Sequence, residues 1–211
     1  MINILIVEDQ RMARERMEEY VRSDPRYNLV ESITNASLAE MCCIQNHIDL
    51  ILMDVCTDHD ESGLDATARI KKHFPNIKII IVTSMVECSF LDQARAAGAD
   101  SFWYKDVGQE ELLSVIERTV NGESVYPKRT PEVKIGITSS YDFTDRELQV
   151  LRHLVNALTY SEIAEKMGVS VSAVRFHVNN MLQKTGFNSK TKLAVAVSNK
   201  KLIIPDPDWQ D

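Results

Sequence analysis

The stretch Leu50-Ile51-Leu52-Met53-Asp54 decides the fold. Four apolar residues run into one carboxylate. A run this short and this apolar reads as a strand buried on both faces, as in a parallel sheet. The carboxylate then falls at the C-terminal end of the strand, where open α/β sheets put their ligands. Three other runs end the same way. Ile2 to Val7 leads into Glu8 and Asp9, Ile79 to Val82 into Thr83, and Ser101 to Tyr104 into Lys105. With these strands as parallel neighbours, three acids, a hydroxyl and an amine converge on one edge.

Helix-like runs alternate with the strands. Arg11 to Val21 carries Met12, Ala13, Met17 and Tyr20 at helical spacing and stops before Asp24-Pro25. Tyr27 to Ile33 is a weaker strand. Ser37 is the expected cap of a helix whose apolar face is Leu38, Met41, Cys42 and Ile44. Further helices are expected over Gly63–His73, Val86–Ala97 and Gly108–Asn121, the second closed by Gly98. Five βα units with right-handed crossovers give a doubly wound parallel sheet over residues 1–121.

Periodicity fails over 122–141, which holds Pro127, Pro131, Gly136 and Ser139-Ser140 and reads as a linker. Everything after it reads helical. Thr144-x-x-Glu147 and Thr159-x-x-Glu162 are capping boxes, Gly168 closes one helix, and Ser170 caps the next. Two helices separated by Gly168-Val169-Ser170 form a helix-turn-helix signature. Residues 142–205 are therefore an all-α, four-helix domain, followed by an acidic tail at 206–211.

Charge separates the halves. The chain carries −7 overall, yet residues 1–122 carry −9 and residues 139–205 carry +4. An acidic half joined to a basic half suggests two tasks, with a polyanion on the basic one. The helix from Ser170 to Lys184 has no acid and offers Ser172, Arg175, His177, Asn179 and Lys184 on its polar side, with Phe176 among them. No stretch approaches a membrane span, and Met1-Ile2-Asn3-Ile4 lacks the basic start of a signal peptide. The expected location is the cytoplasm, with no membrane partner. The four cysteines show no metal spacing.

Crowded carboxylates repel, and their common use is to hold a hard cation. Asp54 is then placed to be ligand and nucleophile together, since carboxylates accept phosphoryl groups. Lys105 supplies a cation for the incoming oxygens, and Thr83 a hydrogen bond. A hydrolase would need a general acid or base beside Asp54, and none stands close in sequence.

At these residues the chain resembles the receiver domain of two-component response regulators. Glu8-Asp9, Asp54, Thr83-Ser84, Phe102 and Lys105 stand in the family's order. Thr144-x-x-Glu147, Val150-Leu151, Glu162-Ile163-Ala164, Val174-Arg175-Phe176-His177 and Leu182-x-Lys184 are similar to the LuxR-type DNA-binding domain, so the whole chain resembles the NarL/FixJ class. The resemblance implies a flavodoxin-like receiver, a sensor histidine kinase as donor, and Asp54 as phosphoacceptor. It implies Mg²⁺ on Asp9, Asp54 and the backbone carbonyl of Cys56, with Glu8 acting through water. Lys105 would pair with the phosphoryl group, while Thr83 and Phe102 move as a switch. The output would be a homodimer on double-stranded promoter DNA, with Arg175, Phe176 and Asn179 favoured for base contacts. Such a chain is a transcription regulator and not an enzyme. A regulator that binds DNA without phosphorylation is the alternative.

Four departures stand out. The loop Val55 to Gly63 is one residue longer than usual, lacks proline and adds Asp58, Asp60 and Glu61. Lys105 is followed by Asp106, where many receivers have proline, Ala157 stands where the family usually has glycine, and Lys190 where it often has arginine.

Overall fold

The structure, a computed structural model, describes residues 1–58, 62–87, 89–105 and 109–203, with backbone only at 109 and 110. The extra acids Asp60 and Glu61, Asp106, and the tail at 206–211 lie outside the described residues. The chain divides into two units, one of Met1–Ser84 with Ser89–Arg129, the other of Thr130 onward with the short stretch from Met85.

The first unit runs β1 (Ile2–Val7), α1 (Arg11–Arg22), β2 (Tyr27–Ile33), α2 (Ala39–Gln45), β3 (Leu50–Asp54), α3 (Gly63–His73), β4 (Lys78–Thr83), α4 (Phe90–Ala96), β5 (Ser101–Tyr104) and α5 (Gln109–Val120). All five strands are parallel, in the order β2-β1-β3-β4-β5. That order is flavodoxin-like, and its switch point lies between β1 and β3. Both faces are covered. Ile4, Ile6, Leu50, Leu52, Ile80 and Val82 pack with Met17, Tyr20, Leu112 and Ile116 of α1 and α5. Leu5, Val7, Ile51, Met53, Ile79 and Ile81 point the other way and are equally inaccessible. Each such side chain contributes roughly 1.5–3 kcal/mol on burial, which fixes the register.

Two helix faces differ from expectation. In α1 the buried set is Met17, Tyr20 and Val21, while Met12 is 86% exposed. Met12 lies five residues before Met17, well off its face. In α2 the buried residues are Ala39, Cys42 and Cys43, whereas Leu38, Met41 and Ile44 are all more than half exposed. A seven-residue helix apolar on both sides gives periodicity nothing to choose between, and the smaller side chains go inward. Its lead-in is capped by Asn35, not Ser37: the Asn35 carboxamide oxygen accepts from the Ser37 amide at 2.7 Å. Helix α4 begins at Phe90, after Ser89, rather than at Val86.

The segment read as a linker is largely structured. Ser124, Val125 and Tyr126 run beside β5: the Phe102 amide donates to the Val125 carbonyl at 2.8 Å, and the Tyr126 hydroxyl donates to the Ala99 carbonyl at 2.9 Å. Farther on, β6 (Lys134–Ile135) and β7 (Thr138–Ser139) form a short antiparallel ladder. Gly136 turns between them at φ +63°, where a Cβ would lie 2.0 Å from the Thr185 carbonyl oxygen. Ile135 is buried in the second core. Segments this short give too little pattern to detect.

The second unit holds α6 (Asp145–Val155), α7 (Tyr160–Met167), α8 (Val171–Thr185) and α9 (Lys190–Asn199). Thr144 with Glu147 and Thr159 with Glu162 form reciprocal capping boxes, and the Ser170 hydroxyl accepts from the Ala173 amide. Each cap is worth about 1 kcal/mol. Gly168 ends α7 in the left-handed conformation. Leu148, Leu151, Leu154, Ile163, Val174, Val178, Met181 and Leu193 form the core, with Leu182 and Val155 only partly covered.

Candidate functional site

The C-terminal edge of the parallel sheet gathers the expected residues. Val7 pairs with Met53, Asp54 with Val82, and Thr83 with Tyr104, so the strands end level with one another. Glu8 and Thr83 are fully buried, and Asp54 is 3% exposed. Glu8, Asp9 and Asp54 present carboxylate oxygens within 4.8 Å of one another. The Lys105 ammonium lies 2.9 Å from an Asp54 oxygen and also pairs with Glu8. The Lys105 amide donates to the Thr83 carbonyl at 2.9 Å, which anchors the lysine to the end of β4.

Two acids share one amine here. Burial pushes Asp54 up to about 7, against the pull of Lys105, and the Glu8 charge adds to the rise. Burial also raises Glu8, with Lys105 again opposing. For Lys105 burial works downward, but Asp54 and Glu8 outweigh it and hold the ammonium above its ordinary value. Two buried acids thus share a single ammonium, and the site is short of positive charge.

Among the described residues, buried Asp9 Oδ1 has no hydrogen-bond partner. An orphaned buried carboxylate oxygen beside two more acids suits a hard cation, so the donor set fits magnesium. Phe102, at the heart of β5, is 2% exposed and packs against the Tyr104 and Tyr126 rings at centroid distances of 5.0 and 6.2 Å.

The loop after Asp54 is pinned at its neck. Cys56 bridges to Ser62, and the Gly63 amide donates to the Val55 carbonyl at 2.9 Å. A Cβ on Gly63 would sit 1.8 Å from the Asp54 carbonyl oxygen, so only glycine fits.

Sequence reasoning missed Arg14. Its guanidinium donates to the Glu8 carbonyl at 2.8 Å and the Asp9 carbonyl at 3.1 Å, fixing the backbone of the acidic pair. A side chain that grips backbone leaves no periodic or charge-pair signal.

On the second unit, Ser172, Arg175, Phe176 and Asn179 are exposed along α8, and His177 is half-buried with its ring edge-on to Phe176. Lys184 departs from expectation. Its ammonium lies 2.8 Å from Glu147 and donates to the Asp142 carbonyl at 3.0 Å, so it ties α8 to α6 rather than standing free for DNA.

Residues 4–117 match the family model of the response regulator receiver domain. The chain belongs to the response regulators. Residues 142–197 match the bacterial regulatory proteins of the luxR family. The protein is thus a DNA-binding response regulator of the LuxR type, a transcription regulator and not an enzyme. Response regulator protein VraR of Staphylococcus aureus (strain NCTC 8325 / PS 47) is 29% identical over 210 residues, covering 96% of this chain and 99% of that protein. A DNA-binding response regulator of the LuxR family from Staphylococcus aureus is 25% identical, with a TM-score of 0.54, over 57% of this chain and 100% of that one. RcsB from Salmonella enterica serovar Typhimurium, solved bound to promoter rprA with the phosphomimetic BeF3-, shares the fold at a TM-score of 0.62 and 19% identity, over 94% of this chain and 98% of that one. Among the described residues no helix is long and apolar enough to cross a membrane.

Proposed function

We propose that this regulator is switched by phosphoryl transfer from a sensor histidine kinase to Asp54. The carboxylate attacks phosphorus, the bond from phosphorus to the donor's imidazole nitrogen breaks, and its electron pair returns to the imidazole. Asp9, Asp54 and the Cys56 carbonyl would hold Mg²⁺, with Glu8 nearby. The ion would supply positive charge for the phosphoryl oxygens and for the ionised form of Asp54. Lys105 then leaves its two-acid bridge for the phosphoryl group, and Thr83 and Phe102 respond behind it. The observation that carries the reading is the convergence of three carboxylates on one lysine, with an orphaned Asp9 oxygen beside them.

Residues 1–121 serve as receiver and 142–205 as the DNA-binding domain, joined by 122–141. Phosphorylation favours a homodimer that binds two half-sites of double-stranded promoter DNA in the cytoplasm. Ser172, Arg175, Phe176, His177 and Asn179 form the DNA face. The likeness to RcsB, itself solved on promoter DNA, supports this use of the fold.

Acetyl phosphate with magnesium is the test. The chain should become labelled, and Asp54→Asn or EDTA should abolish the labelling. Sizing and gel shift should then show a larger species with higher DNA affinity. DNA binding with no labelling would favour the phosphorylation-independent regulator. Turnover of a small phosphoester would instead revive a hydrolase.

A further inference from the structure

Tyr160, in the first turn of α7, does something the helix-turn-helix pattern does not ask of it. Its ring packs on the second core and is half-buried. Two cations from two other helices converge on that ring. The Lys190 ammonium, at the start of α9, lies 4.5 Å from the centroid, and the Arg175 guanidinium, on α8, lies 6.0 Å away. The aromatic face offsets part of the charge. Two positive groups drawn to one ring still repel each other. Among the described residues neither forms an ion pair with a carboxylate. The nearest acid in sequence, Glu162, is already taken: its carboxylate accepts from the Thr159 amide at 2.7 Å and the Thr159 hydroxyl at 2.6 Å. Both cations are thus left to an anion from outside the chain.

We propose that Tyr160 is a positioning residue that gathers Arg175 and Lys190 at one ring as a clamp for one DNA backbone phosphate. The proposal rests on the DNA-binding reading and deepens it. Arg175 leaves the base-reading set expected from the sequence and anchors the duplex instead. Phe176 and Asn179, one and four residues further along α8, remain to face the bases. An anchor made of three helices fixes the recognition helix in rotation, which a single lysine on a flexible stem does not.

The test uses the full-length chain with acetyl phosphate and magnesium, and a fluorescent duplex of mixed sequence read by anisotropy over a series of salt concentrations. Each lost phosphate contact makes the slope of log affinity against log salt shallower by about one. Lys190→Ala should show that change on every duplex tested. Tyr160→Leu keeps an apolar side chain for the core but removes the ring. It should weaken binding by roughly fivefold, the worth of an exposed cation–π contact or two, and flatten the slope. Tyr160→Phe should bind as the unsubstituted chain does. In the double variant Tyr160→Leu/Lys190→Ala the losses should not add. Unchanged affinity and slope in Tyr160→Leu, with the thermal transition intact, would overturn the clamp while leaving DNA binding standing. Fully additive losses would overturn it as well. Loss of sequence discrimination in Arg175→Ala, with no change in salt slope, would return Arg175 to the bases and also defeat the proposal. Failure of the unsubstituted chain to bind any duplex would sink the DNA-binding reading itself.

Discussion

Lys105 and Lys184 are a matched pair in opposite circumstances. Each reaches from one element to a buried glutamate on another: Lys105 to Glu8 at the sheet edge, Lys184 to Glu147 between α8 and α6. Around Lys184 everything is answered. Glu147 accepts from the Thr144 amide at 2.9 Å and the Thr144 hydroxyl at 3.1 Å as well as from the lysine. Burial works against it, but Lys184 and the Thr144 donors hold its carboxyl below the usual range. Around Lys105 the opposite holds. One amine serves two acids, Asp9 keeps an oxygen with no partner among the described residues, and both Glu8 and Asp54 are pushed upward by burial. The same residue types thus make a finished joint in one place and an unfinished one in the other. The carboxyl whose donors are all in place is held low, and the acids that share one amine are pushed up, which marks the sheet edge as the place where a ligand is to be sought.

The comparison breaks most visibly at the lysines. Lys105→Ala should abolish labelling by acetyl phosphate, or slow it by a factor of about a hundred, because no other described side chain supplies positive charge to Asp54. Lys184→Met should leave labelling intact and cost the second unit about 2 kcal/mol, read from its denaturant midpoint, since Glu147 keeps its Thr144 donors. Labelling lost in both would mean that the two joints are coupled.

The pH dependence should run in opposite senses. Asp54 titrates higher in the folded chain than in the unfolded one, so the native state holds more protons between the ordinary carboxylate range and about pH 7. In metal-free buffer, the stability of the first unit should fall as pH rises through that window, and Asp54→Asn or added magnesium should flatten the fall. Glu147 titrates lower when folded. Its contribution is present above the ordinary carboxylate range and is lost as pH falls through the folded value. Thermal melts at several pH values, with each unit followed separately, check both signs.

The smallest effect concerns Ala157. It sits just past the end of α6 at φ +62°, a conformation that costs an L-residue about 1 kcal/mol and glycine nothing. Ala157→Gly should raise stability by about that amount in calorimetry, with DNA binding unaltered.

The sequence carried the sheet and its edge because buried parallel strands leave apolar runs that stop at a polar residue. Leu50 to Asp54 and Tyr27 to Ile33 lie where the pattern put them, and both Thr–Glu capping boxes close as written. Faces were harder to read. Leu38, Met41 and Ile44 look like a core stripe and face outward, because what decides is the neighbour's shape and not the helix's own period. The grip of Arg14 on the Glu8 and Asp9 carbonyls and the commitment of Lys184 to Glu147 were also invisible. Both depend on which helix ends up beside which, and no local spacing encodes that. Tyr160 is the same case, since its cations come from positions 15 and 30 residues later in the chain.

β5 is the last strand of the sheet, and an edge strand is an open invitation to another strand. Here the invitation is already taken by the chain's own Ser124 to Tyr126. The amide that does the taking is that of Phe102, and the guanidinium of Arg95 lies 4.5 Å over the Tyr126 ring that follows. The tether leaving the receiver is therefore stitched to the residue expected to move. Peeling it away uncovers the Phe102 amide, and turning Phe102 disturbs the aromatic ring that holds it down. A message passed from Phe102 to this segment has no distance to travel.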